Sequence, residues 1–215
     1  MSEDPTRNGD AAAAELPAPG APGSPTRLAA SQVRRLRRIV DAASKLAEEG
    51  GFEGVRLRDV AEASGVALGT LYRYFRSKED ILVYVLAEQV DQLEQALRTR
   101  PPRGDTPRER AATVFTLTTR ALTGRPHFAR ALLRAVSAGE PETTVKVAAF
   151  HLRVSKIVLD ALRGPEEASA ELEAAATILQ QVWFASLVGW TGGLHDARTV
   201  IAQVDDAAAL LLDPR

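Results

Sequence analysis

Cysteine is absent from the 215 residues, which removes a disulfide framework, a thiolate zinc site and a cysteine nucleophile, and suits a reducing cytoplasm. Histidine is scarce. His127, His151 and His195 are scattered and show neither i, i+4 metal spacing nor a companion carboxylate motif. No apolar run reaches the roughly 18 to 20 residues of a membrane span, and the first residues lack a charged stretch followed by an apolar one. The expectation is an unexported cytoplasmic protein with no membrane partner. Charge of one sign is lacking too: 27 basic against 28 acidic residues leave a net charge of -1, so any attraction to nucleic acid must come from local clusters. Gly50, Gly51 and Gly54 have neither the spacing nor the preceding strand of a dinucleotide fingerprint. The adjacent Glu166 and Glu167 diverge by about 100 degrees on a helix start, so they suit dipole capping and not acid-base work on one substrate. An enzyme is the least favoured class, and neither a metal nor a cofactor is implied.

What the sequence does have is 45% apolar residues, enough for a sizeable core, in a pattern that is helical almost throughout. Residues 1–30 are the exception: Pro17, Pro19, Pro22 and Pro25 among Ala, Gly and Ser predict a disordered arm. Apolar residues at helical spacing from Val33 to Ala47 predict a first helix over 32–49, N-capped by Ser31 and stopped by Gly50 and Gly51. Short helices follow at 57–64 and 68–75, separated by Gly65 in a left-handed turn. Ser77 caps a long helix to about Arg98, with Glu79 and Asp80 in its first turn, where the helix dipole favours acids. Further helices are expected at about 107–123, 126–137, 141–163, 166–191 and 197–212, each break marked by Gly or Pro. The fold class is therefore all-α with about nine helices. The expected organisation is an arm over 1–30, a three-helix head over 31–77 and a helical body over 78–215.

Two short helices joined by a glycine turn form the arrangement that offers its second helix to the DNA major groove, although such pairs also occur in ordinary bundles. The stretch Val66-Ala67-Leu68-Gly69-Thr70-Leu71-Tyr72-Arg73-Tyr74-Phe75-Arg76-Ser77-Lys78-Glu79-Asp80-Ile81-Leu82 closely resembles the N-terminal signature of the TetR family of transcriptional regulators, and the resemblance covers about residues 34–85. Together with Val182-Trp183-Phe184-Ala185-Ser186-Leu187-Val188-Gly189-Trp190, the Gly69 to Phe75 pattern looks like the KstR branch, repressors of sterol catabolism.

The resemblance implies a homodimer that grips double-stranded operator DNA and senses a small molecule, without catalysis. Gly69 lets the recognition helix approach base edges or phosphate, and Thr70 offers a hydroxyl and a methyl for readout. Tyr72 and Tyr74 fall at DNA-contacting positions in the resemblance, as does Arg73, while Leu71 and Phe75 face the core. Lys78 matches a lysine that the family sets on a phosphate at the start of the fourth helix. Leu68 departs from the polar residue many relatives carry, so apolar contact, for instance with a thymine methyl, is expected there. Of the basic residues near the head, Arg34, Arg35 and Arg56 are the expected phosphate contacts. Arg34, Arg35 and Arg38 cannot all point one way when Leu36 and Ile39 mark the buried face.

By the same resemblance, the last two helices pair across a two-fold axis, and helices 4 to 8 enclose the effector. Candidate lining residues are Phe115 and Leu122 in the fifth helix, Phe128 and Leu132 in the sixth, Phe150 and Val154 in the seventh, and Trp183 and Phe184 in the eighth. For the aromatics of the eighth helix ordinary core is the first reading, with pocket lining and interface as the alternatives. The implied effector is apolar and elongated, a steroid, fatty acid or acyl-CoA, with Arg120, Arg125, Arg130, Arg134 and Arg153 available for a carboxylate or CoA phosphates. The competing reading is a dimeric helical adaptor that binds no operator.

Overall fold

A computed structural model of the chain describes residues 30–165 and 167–213. The expected arm, up to its last residue, and Glu166 lie outside the described residues. Among the described residues every regular element is helical: α1 (Ala30–Gly54), α2 (Leu57–Ser64), α3 (Leu68–Leu71), α4 (Lys78–Thr99), α5 (Pro107–Thr123), α6 (Pro126–Ser137), a 3-10 turn (Pro141–Thr143), α7 (Thr144–Arg163), α8 (Ala170–Thr191) and α9 (Ala197–Leu212). The caps explain most boundaries. Ser77 accepts the Asp80 N–H, Ser169 that of Leu172 and Asp196 that of Thr199, while Thr106 and Glu109 form a reciprocal capping box.

Four elements differ from the periodic reading; the seventh opens with a 3-10 turn over Pro141–Thr143 and is α-helical only from Thr144. The first helix already includes Ala30 and Ser31, so Ser31 is not its N-cap, and it does not stop at Gly50; Gly51 adopts φ 61°, ψ -156°, bends the chain and lets one more turn, Phe52 to Gly54, pack on the core. The third helix is regular only to Leu71, since Arg73 and Tyr74 donate to carbonyls three residues back, Thr70 and Leu71, and tighten the last turn. The eighth begins at Ala170 rather than 166 because the cap is Ser169.

Ile39, Val40, Leu71, Phe75, Ile81 and Leu82 are fully buried at the N-terminal end, and Leu132, Leu162, Leu179 and Leu187 in the larger helical part; all belong to one continuous core. Both α1 and α4 lie on α6, and α4 also touches α7, so the short-helix head is seated on the remaining helices through α1 and α4. α8 packs between α7 and α9, and α9 returns along α5.

Candidate nucleic-acid interface

α2 ends where Gly65 takes φ 63°, ψ 34° and returns its N–H to the carbonyls of Ala61 and Glu62. The Arg38 guanidinium lies beside this turn, 3.6 Å from where a Cβ on Gly65 would sit. From the turn, α3 drives Leu71 and Phe75 inward, both without solvent exposure. The opposite side is open. Gly69 has nothing within 4 Å of the position a Cβ would take, Tyr72 is 52% exposed and Arg73 is exposed. Leu68, Thr70 and Tyr74 are half-buried, with Leu68 and Tyr74 leaning on the core and part of each side chain facing out. A short helix with a bare backbone point, a hydroxyl, two phenols and a guanidinium on its accessible side can donate to phosphates and probe base edges.

The basic residues divide. Arg34, Arg38 and Arg56 are exposed and Arg35 is half-buried, whereas Arg37 turns to Asp41 at 3.0 Å and Glu88 at 3.5 Å. Lys78 is no plain solvated lysine. Its ammonium sits 4.0 Å from the centre of the Phe52 ring and 3.1 Å from Glu53 Oε2. Arg134 of α6 stands 4.3 Å from the same ring and bonds the other oxygen of Glu53 at 2.9 Å. Phe52 and Glu53 thus receive a cation of α4 and a cation of α6 at once. The Lys78 hydrogen bond and charge, then Arg134, hold the Glu53 carboxyl below its ordinary range. Sequence reasoning missed Glu53, which follows the bend at Gly51 and has no periodic mark.

In the body, Phe115 and Trp183 have ring centres 5.7 Å apart, and the buried Trp183 indole donates to Thr119 Oγ1 at 2.9 Å. Phe150 and Phe184 each meet the His151 ring edge to face, at 5.1 and 4.9 Å. His151 Nδ1 lies 2.9 Å from the amide nitrogen of Gln180, and burial pushes its pKa down. Leu132 and Val154 are buried, Leu122 is half-buried, and Phe128 is buried with the Arg125 guanidinium 3.9 Å over its ring. An open groove of about 440 Å³ on α4, lined by Gln92, Gln95, Ala96, Thr99 and Arg100, involves none of these residues. Three of the arginines considered for an anionic ligand have carboxylates of their own: Arg125 pairs with Glu48, Arg134 with Glu53, and Arg153 with Asp91 and Glu94. Arg120 and Arg130 are exposed, the latter 5.3 Å from the centre of the Trp190 ring.

Periodicity could not assign the aromatics of α8. Trp183 and Trp190 are buried within the chain and Phe184 is half-buried, whereas Ala174, Ile178, Gln181, Ala185 and Val188 form an outward stripe with steps of four and three. That stripe carries no charge. On α9, Ala202, Asp206 and Leu210 face outward at steps of four.

Residues 39–85 match the family model for bacterial regulatory proteins, tetR family, and residues 104–211 match the tetracyclin repressor-like C-terminal domain. The HTH-type transcriptional repressor KstR of Rhodococcus jostii is 33% identical over 182 residues, 85% of this chain and 84% of the repressor. A TetR transcriptional regulator from Rhodococcus sp. RHA1 superposes with a TM-score of 0.75 at 29% identity, covering 85% of this chain and 97% of that one. FadR of Bacillus subtilis, solved in complex with stearoyl-CoA, shares the fold with a TM-score of 0.56 at 21% identity, over 82% of this chain and 97% of FadR.

Proposed function

The chain belongs to the TetR family of bacterial transcriptional regulators, and from that membership we propose that it is a dimeric cytoplasmic repressor, released from its operator by an elongated apolar effector. The observation that carries the DNA half is α3 together with the turn that follows it to Phe75. Its inner residues, Leu71 and Phe75, are wholly buried, while Gly69, Tyr72 and Arg73 stand open with part of Leu68, Thr70 and Tyr74. We assign DNA contact to these six residues, with Leu68, Gly69 and Thr70 toward base edges and Tyr72 and Tyr74 toward phosphates, and further phosphate contacts to Arg34, Arg35, Arg56 and Lys78, with the head ending at residue 77.

A monomer reaches only half of a two-fold operator, so the charge-free stripe of α8, with the outer face of α9, is assigned to the partner copy. The effector is a steroid or a long-chain acyl-CoA. This reading is supported by FadR, which was crystallised with an acyl-CoA, and by an interior of aromatic and aliphatic side chains with isolated polar groups such as Thr119 and Gln180. Phe115, Leu122, Phe128, Leu132, Phe150, Val154, Trp183 and Phe184 are its proposed contacts. Repression ends when effector binding favours a head spacing that no longer fits two half-sites.

The test is a fluorescence-anisotropy titration of the full chain on duplexes it selects from a random pool, repeated with stearoyl-CoA and with a steroid. Selection of a two-fold sequence and its release by either compound support the proposal. Selection without release removes the effector class, and failure to select removes the operator.

A further inference from the structure

Asp80 lies in the first turn of α4, five residues beyond Phe75, and is only 4% exposed. Its two oxygens serve different parts of the molecule. Oδ2 accepts the backbone N–H of Arg76, the residue that leaves the α3 turn, at 3.1 Å; Oδ1 accepts Lys146 Nζ of α7 at 2.5 Å. The neighbouring Ser77 hydroxyl takes the Asp80 N–H, so the carboxylate is fixed from its own backbone as well.

Lys146 stands where a cation has no local reason to be. It is in the first turn of α7, whose amide dipoles disfavour positive charge, and that turn contains no acid. The pairing with Asp80 is what offsets the position. A buried carboxylate deprived of its cation is costly, so the carboxylate and everything hydrogen-bonded to it follow Lys146. Lys146, Phe150 and Val154 recur every fourth residue of α7 and share one side of it, and Phe150 and Val154 are buried in the body.

We infer that Lys146 is a positioning residue for operator recognition: through Asp80 it lets α7 of the effector body set the turn that carries the recognition helix. The inference rests on the reading of the chain as an operator-binding protein. A shift of α7 by a molecule lodged against Phe150 and Val154 moves Lys146, then Asp80, then the Arg76 amide. Lys146 itself need not touch DNA.

The experiment compares wild type, Lys146→Met, Lys146→Arg and Lys156→Met on the duplex selected by the wild type and on a random duplex, at several salt concentrations. Lys156 is on the same helix, pairs with Asp160 in the next turn, and controls for the loss of one positive charge. Expected for Lys146→Met is a loss of on the order of tenfold on the selected duplex. Random-duplex affinity and the salt slope stay unchanged, Lys146→Arg restores selectivity, and Lys156→Met behaves as wild type. Wild-type selectivity in Lys146→Met overturns the inference. So does equal loss on both duplexes with a shallower salt slope, which makes Lys146 a phosphate contact, and so does an equal loss in Lys156→Met. A wild type that prefers no duplex removes the operator reading, and the inference with it.

Discussion

Glu53 holds Lys78 at 3.1 Å with one oxygen and Arg134 at 2.9 Å with the other. The proposed phosphate contact of α4 therefore already has a carboxylate of its own chain, shared with Arg134, and a phosphate must compete with Glu53 for it. Glu53→Gln removes the competitor. Tighter binding to any duplex is expected, by roughly two- to fivefold because the pair is solvent-accessible. The gain disappears in a Lys78→Ala background if it acts through Lys78, whereas a persisting gain means that only the long-range charge of Glu53 matters.

Lys78 and Thr70 separate affinity from selectivity. A phosphate contact carries no sequence information, so Lys78→Ala weakens selected and random duplexes alike and lowers the salt slope by about one. Thr70→Ala leaves the slope alone and changes the preferred sequence, because a lost hydroxyl and methyl alter contacts to base edges. Anisotropy titrations across salt, with repeated selection for Thr70→Ala, read both. An unchanged slope for Lys78→Ala takes that residue off the phosphate backbone.

The helices were legible because their signals are local: Ser77 before Lys78, Pro107 and Pro126 at helix starts, Gly65 after Ser64. The inward pair Leu71 and Phe75 followed from spacing together with the family resemblance. The partners of charged residues were not legible. Glu53 with Arg134, Asp80 with Lys146 and Arg153 with Glu94 are separated by 81, 66 and 59 residues, and no pattern in one sequence ties such positions together. The α8 tryptophans show the same limit. An apolar helix gives little angular contrast, and its packing against α7 and α9 decides that Trp183 turns inward while Ile178 does not.

Ile178 is 46% exposed in the chain and lies on the charge-free stripe assigned to the partner copy. Ile178→Glu is harmless to an isolated chain, where the carboxylate meets water, and costly in a dimer that buries it. Sedimentation velocity is expected to show a monomer with unchanged helical content, and affinity for the two-fold duplex falls with it. A dimer that survives the substitution assigns the interface elsewhere.

His151 makes stability depend on pH. Its folded-state pKa lies below the ordinary value because burial disfavours the imidazolium. In the window between that lowered value and about 6.5 the unfolded chain binds more protons, so stability rises with pH there and is lost as pH falls from about 6.5 toward the folded-state pKa. Protonation also gives Nδ1 a hydrogen aimed at the Gln180 amide nitrogen 2.9 Å away, so that amide must turn over. The melting temperature is expected to drop between pH 7.5 and 5.5, and to drop less in His151→Gln, whose side chain carries no titratable group. Equal drops in both proteins assign the acid sensitivity to other groups.

Gly189 and His195 set how α8 turns into α9. A Cβ on Gly189 would come 2.5 Å from His195 Cε1, and the same ring places Nε2 2.8 Å from the Ser186 carbonyl, while the Leu194 N–H returns to the Gly189 carbonyl at 3.0 Å. Gly189→Ala must push the ring aside and break its bond to Ser186, a cost of about 1 to 3 kcal/mol. His195→Ala removes the ring and loses the same bond without a clash. If the ring is the obstacle, Gly189→Ala adds little to His195→Ala, and the double variant melts well above the sum of the two single losses. Additive losses mean that the α8 backbone itself resists the methyl group and that His195 is a bystander. Because α8 also carries the stripe assigned to the partner copy, the same set of variants, run by sedimentation, tells whether the turn holds that stripe in register: a Gly189→Ala protein that is folded but monomeric ties the two together.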